Sequence, residues 1–200
     1  LIGLLFLIIY SYLSNIFIAH GKIHNLIILI IGLIFFIKLS YANFKKNDWN
    51  YFFIIFFILL IGAFILKTHD DFSYYHFGYS HYLTENSIII GIGQLNLGYR
   101  TPSSIFYLNS LFYLPYVEYF MFHMPAIMVL GFSNLILLIK LRENIIKNKV
   151  NFVTYFALLV FIFINIFFYR ISEHGTDKSA QILVFLLFIE IFLLTNFKIN

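Results

Sequence analysis

Six long apolar segments, at roughly 1–18, 25–39, 51–66, 120–139, 151–169 and 179–197, restrict this chain more than any other feature. Each approaches the roughly 17–25 residues that a helix needs to cross a bilayer. Hydrocarbon offers no water to a backbone N–H or C=O, and a helix satisfies these groups within one segment. Charged residues are 11% of the 200 and hydrophobic residues 62%, whereas a soluble domain carries about 25% charged residues. An ordinary water-soluble domain is excluded. The expected fold is all-α: a polytopic transmembrane helix bundle of about six spans, forming a single transmembrane domain over 1–200. The chain starts inside one apolar run and stops just after another, so the expectation is a fragment of a longer protein. Leu1–Ile18 has no basic leader and reads as a span, not a signal peptide. There is no cysteine, which excludes disulfides, thiolate metal sites and Cys nucleophiles.

Lys and Arg set the orientation. Lys45, Lys46, Lys140, Arg142, Lys147 and Lys149 fall in one set of connections, with Lys38 and Lys198 at flanking helix ends. Lys22, Lys67, Arg100, Arg170 and Lys178 are spread over a much longer second set. The first set is expected in the cytoplasm and the second outside. All seven histidines and six of the nine acids then fall on the outer side. Glu190 falls within the last apolar segment, where an acid is either functional or snorkels to the rim. Asn134 and Asn165, on different spans, are expected to hydrogen-bond to each other across helices.

Residues 67–119 form a long extracytoplasmic loop that is too apolar to float free in water. Juxtamembrane helices lying along the membrane surface are expected, with tyrosines at headgroup depth. In "RTPSS", Thr101 suits an N-cap and Pro102 the first helical position. The helix starting there would put Ile105, Leu108, Leu111 and Phe112 on one stripe and end or kink near Pro115. Gly91, Gly93 and Gly98 mark a turn region.

The chemistry-capable side chains gather at two places. In "THDDFSYYHFGYSH", Asp70 and Asp71 adjoin His69 and are followed by Tyr74, Tyr75, His76 and His81. One acid at a helix mouth is ordinarily solvated punctuation. A pair among histidines suits a general base toward a sugar hydroxyl, or a divalent cation bound together with a lipid phosphate. Asp71, His76 and His81 are the candidate metal ligands, and Tyr74 and Tyr75 are candidates to stack on a sugar. In "RISEHGTDKSAQ", Arg170, Glu173, His174, Asp177 and Lys178 fall within nine residues. A turn at Gly175 with Thr176 or Asp177 capping the last helix explains part of this. Both signs of charge together also suit a site that holds phosphate while moving protons. Arg100 is either a phosphate clamp or a snorkelling surface residue.

The stretch "HDDFSYYHF" at 69–77, following a span and preceding a long outer loop, resembles the first outer loop of the GT-C superfamily of polytopic membrane glycosyltransferases. "SIFYLNSLFYLP" at 104–115 and "RISEHGTDKSAQ" at 170–181 are similar to stretches of an uncharacterised family of bacterial integral membrane proteins. The resemblance implies transfer of a sugar from a polyprenyl-phosphate-linked donor to an acceptor on the outer face of a bacterial cytoplasmic membrane. Asp70 or Asp71 would take the catalytic position, with Glu173, His174 and Asp177 as further catalytic candidates. Arg100, Arg170 and Lys178 would meet the phosphate of the lipid-linked donor. Three other readings stay open. One is a surface-polysaccharide polymerase or ligase, which relies on outer-loop arginines. The others are a transporter or channel module, and a structural membrane subunit.

Overall fold

A computed structural model describes residues 2–65, 70–100, 103–148, 150–167 and 177–196. Every regular element among them is helical, with no strand. The helices are α1 (Ile2–Phe17), α2 (Lys22–Asn43), α3 (Lys46–Phe64), α4 (Phe77–Glu85), α5 (Ser104–Ser110), α6 (Met124–Ile146), α7 (Phe152–Phe167) and α8 (Lys178–Asn196). A π-helical turn, Phe72–His76, runs directly into α4, and 3₁₀ turns lie at Ile92–Gln94, Leu97–Arg100 and Tyr119–Met121.

Three helices are long and apolar enough to cross a membrane: Lys22–Asn43, Tyr119–Ile146 and Lys178–Thr195. The chain is thus an all-helical membrane protein with fewer such spans, among the described residues, than the six apolar segments predict. The described parts of α1 and α7 have 16 residues each, which at about 1.5 Å per residue is less than a core about 30 Å thick; Leu1 and residues 168–176, which adjoin them, lie outside the described residues. α3 begins with Lys46, Asn47, Asp48 and Asn50, so only its second part is apolar.

The chain divides into two compact units. One comprises 1–43, 65–125 and 172–176, of which the last five lie outside the described residues. Its core is aromatic: Tyr79 and Leu83 of α4 pack against Phe106 and Tyr107 of α5. Tyr12 of α1 stacks on Tyr107 at 4.1 Å between ring centroids. The sequence places a helix start at Thr101 and Pro102, which lie outside the described residues. α5 begins at Ser104, after Ser103 in an extended conformation (φ −102°, ψ 133°). It ends at Ser110, well before Pro115. Leu108 and Leu111 of the expected aliphatic stripe are buried, but burial extends beyond it. Phe106, Tyr107, Leu108, Asn109 and Ser110 are buried in succession, because α1 and α4 cover it from two sides.

The second unit comprises 44–64, 126–171 and 177–200. Here α6 meets the other three helices. Phe132 packs on Phe56 of α3 at 5.2 Å. Asn134 pairs with Asn165 of α7 through two amide hydrogen bonds of 3.0 and 2.8 Å, as expected from the sequence. Lys140 reaches Glu190 of α8 at 2.9 Å, so the acid of the last apolar segment has a specific cationic partner. The connections expected in the cytoplasm meet at one end of this unit: Arg142 lies 3.7 Å from buried Asp48, and Lys45 lies 3.7 Å from Glu143.

Candidate functional site

The acidic pair opens the π-helical turn. Asp70 is exposed and Asp71 half-buried. The Asp71 carbonyl accepts from both Tyr75 N–H at 3.1 Å and His76 N–H at 3.2 Å. This bifurcated start is what a π turn requires, since it inserts one extra residue before the α-helical register resumes. The turn aims neighbouring side chains differently from the sequence expectation. Tyr74 is exposed and remains available to a ligand. Tyr75 is not, because it packs edge-on against His76 at 4.4 Å and Phe106 at 6.0 Å and presses on the backbone at Gly98.

The candidate metal ligands are not gathered into a cluster. His76 is buried against Phe106, whereas His81 packs near Phe77 and Tyr113 and faces Glu85 at 3.9 Å. Five residues of helix separate them, which turns their directions apart by about 140°. Among the described residues no three His, Asp or Glu side chains come close enough to hold a metal ion.

Arg100 ends the second 3₁₀ turn, is exposed, and donates from Nε to the Gly93 carbonyl at 3.2 Å. The loop carrying it is fastened to the helix that Asp71 opens. Asn96 Nδ2 donates to the Tyr74 carbonyl at 3.3 Å. A Cβ on Gly98 would lie 2.4 Å from Tyr75 Cβ and Cγ, so only glycine permits this approach. Beside it an open cleft of about 460 Å³ is lined by Ile88–Gln94, Tyr79, Tyr99 and Arg100. Burial pushes the Tyr79 and Tyr99 hydroxyls above the usual phenol range, so both stay protonated hydrogen-bond donors. The structure thus joins Asp70, Asp71, Tyr74 and Arg100 within one unit. Asp177 and Lys178 belong to the other. Asp177 is exposed immediately before α8, and its carbonyl accepts from Gln181 N–H at 3.0 Å, as a capping position does. Arg170, Glu173 and His174 lie outside the described residues.

A second polar constellation was not singled out from the sequence. His20 is fully buried between α1 and α2, with Nδ1 2.7 Å from Ser110 Oγ and Nε2 2.9 Å from Ser14 Oγ. The Ser110 hydroxyl donates to the Tyr107 carbonyl at 2.8 Å. Ser110 therefore accepts from His20 Nδ1–H, and the Ser14 hydroxyl donates to Nε2. Burial, with His24 stacked 5.3 Å away, holds His20 down to about 3, consistent with this neutral tautomer. Asn25 Nδ2 donates to the carbonyls of His20 (2.7 Å), Ser110 (2.8 Å) and Tyr113 (3.0 Å). Lys22 pairs with Glu118 at 2.5 Å. The pair tethers a loop in which Tyr116 (φ 69°) and Glu118 (φ 48°, ψ −134°) hold positive-φ backbone conformations, each of which costs about 1–3 kcal/mol. The only sequence signal for this node is the polar run "HGKIHN" at 20–25.

No family model, curated protein or solved structure matches this chain.

Proposed function

We propose that this chain belongs to a membrane-embedded transferase that moves a sugar from a polyprenyl-phosphate-linked donor to an acceptor at the outer face of a bacterial cytoplasmic membrane. A lipid-linked donor needs lateral entry from the bilayer, a cation for its phosphate and a carboxylate near the water boundary. One observation carries the reading: the Arg100 loop, with its open cleft, is fastened to the helix that Asp70 and Asp71 introduce. In this reading Arg100 meets the donor phosphate, Tyr74 stacks on the sugar, and one carboxylate takes the proton of the acceptor hydroxyl. Asp71, half-buried at the start of the π turn, is better fixed for that task than exposed Asp70.

The test is transfer from a radiolabelled polyprenyl-phosphate sugar in membranes that carry the full-length protein. Asp70→Asn with Asp71→Asn together should lower the rate by about 10²–10⁴, the usual scale for losing a general base. Asp71→Asn should account for most of the loss. Full activity in the double variant would defeat the catalytic reading. A structural subunit is the second reading, and a specific observation favours it: buried Asn25 donates to the backbone carbonyls of His20, Ser110 and Tyr113 and so holds loop backbone.

A further inference from the structure

We infer that residues 86–100 form a membrane-insertion finger. It buries Ile89, Ile90, Leu95 and Leu97 among the outer parts of the lipid acyl chains and holds Arg100 at the depth of the lipid phosphates. The inference is independent of the transfer reaction.

The exposure pattern carries it. Ile89, Ile90, Leu95 and Leu97 are 56%, 101%, 85% and 61% exposed, although they belong to no candidate span. Their neighbours Ile88 and Ile92 turn inward: Ile88 packs on the Tyr79–Tyr107 core, and Ile92 is buried. The segment has therefore sorted its aliphatic residues into a core-facing set and an outward set. From Asn86 to Tyr99 there is no Asp, Glu, Lys, Arg or His. A charge-free cluster of bulky aliphatic side chains is unfavourable against water and favourable against lipid.

The finger is also built to hold its shape. Gly91 turns the chain at φ +88°, and Gln94 N–H donates to the Gly91 carbonyl at 2.8 Å. Gly98 N–H donates to Asn96 Oδ1 at 2.8 Å, and Arg100 Nε donates to the Gly93 carbonyl. Many of its backbone groups are thus satisfied internally, as immersion in the interface demands. Its base sits at a membrane boundary. Ile88 N–H donates to the Asn15 carbonyl near the end of α1. His20 N–H, just before the candidate span Lys22–Asn43, donates to the Leu83 carbonyl one turn before the finger. At that level the aliphatic tip reaches acyl chains, while the one cation of the segment meets anionic headgroups. The bilayer is the occupant that fits both features.

These 200 residues contain no cysteine, and any cysteine elsewhere in the full-length protein is first replaced by serine. Ile90→Cys and Leu95→Cys, each in the full-length protein, are labelled with an environment-sensitive nitrobenzoxadiazole dye. The labelled proteins are reconstituted into phosphatidylcholine–phosphatidylglycerol vesicles. Both labels should emit to the blue of a label at Glu85→Cys. Lipids carrying a nitroxide near the carbonyl end of the acyl chain should quench them, and aqueous iodide should not. Both side chains lie outside the core, so the exchanges should fold; if either alters the helix content, Leu97→Cys replaces it. Quenching by iodide at both positions would overturn the inference. Blue emission that lipid nitroxides leave unquenched would also overturn it, because the finger would then be covered by a second copy or another protein.

Discussion

The two units use amide side chains in opposite ways. In the unit built on α1, α2, α4 and α5, Asn25 donates to three backbone carbonyls, and Asn15 donates to the carbonyls of Leu83 (3.0 Å) and Asn86 (3.4 Å). In the unit built on α3, α6, α7 and α8, Asn134 and Asn165 bond to each other, and Lys140 bonds to Glu190. The difference follows from the backbone. Within a long helix the N–H and C=O groups are already paired, so a polar side chain in its middle finds its interhelical partner in another side chain. Short helices and turns leave carbonyls unpaired where water is excluded, and a nearby amide then becomes structural. Irregular chain beside a membrane therefore depends on a few central polar residues, whereas the helical bundle spreads its stability over packing.

The sharpest way to break this comparison is Asn25→Ala. Removing the amide takes the donor from the buried His20 carbonyl, leaves the Ser110 carbonyl with only the Tyr113 N–H at 3.2 Å, and deprives His24 Nδ1 of its acceptor at 2.9 Å. An unsatisfied buried polar group costs about 1–3 kcal/mol. Asn25→Ala should therefore destabilise the protein by about 3–5 kcal/mol, measured by thermal unfolding in detergent. A loss below about 1 kcal/mol would mean that the carbonyls find other partners and that the node is not central.

The next test uses pH. His20 lies well below its ordinary value of 6.5, at about 3, so between these values the unfolded chain binds a proton that the folded chain refuses. Stability then falls as pH drops from about 6.5 toward 3, by up to roughly 1.4 kcal/mol per pH unit. Above about 6.5 this group contributes no pH dependence. His20→Asn should flatten the acid limb between pH 6 and pH 4 even if it lowers stability at neutral pH. An unchanged slope in the variant would assign the acid sensitivity to other groups.

Much of the helical unit was legible in the sequence. Apolar runs locate α6, α7 and α8, and an asparagine within the apolar stretch of each of two helices announces a pair. The irregular unit was far less legible. Tyr75 looked like a ligand-facing aromatic, but the π turn and the glycine at 98 bring it into the core. His20 and Ser110 are 90 positions apart, and Asn25 and Ser110 are 85 apart. No local periodicity reports such a contact. Charge-poor composition revealed a membrane protein, and among the described residues three of the apolar helices reach the length of a span, whereas the described parts of α1 and α7 have 16 residues each.

The smallest effect should come from the helical unit. Asn165→Leu removes the partner of Asn134 on α6, but the Asn165 amide also bonds to the Phe161 carbonyl of its own helix at 2.7 Å. Hydrogen bonds between membrane helices are worth about 0.6 kcal/mol on average and about 1.7 at most. Asn165→Leu alone should therefore cost about 1 kcal/mol or less. The double variant with Asn134→Leu should recover part of it, because neither helix is then left with an unpaired amide. The measurement is a double-mutant cycle on unfolding in detergent, read as a coupling energy. A coupling near 0.6 kcal/mol keeps the contrast with Asn25 intact. A coupling above about 2 kcal/mol would put the amide pair on the same footing as the Asn25 node. The helical unit would then depend on a single polar contact as strongly as the irregular one does.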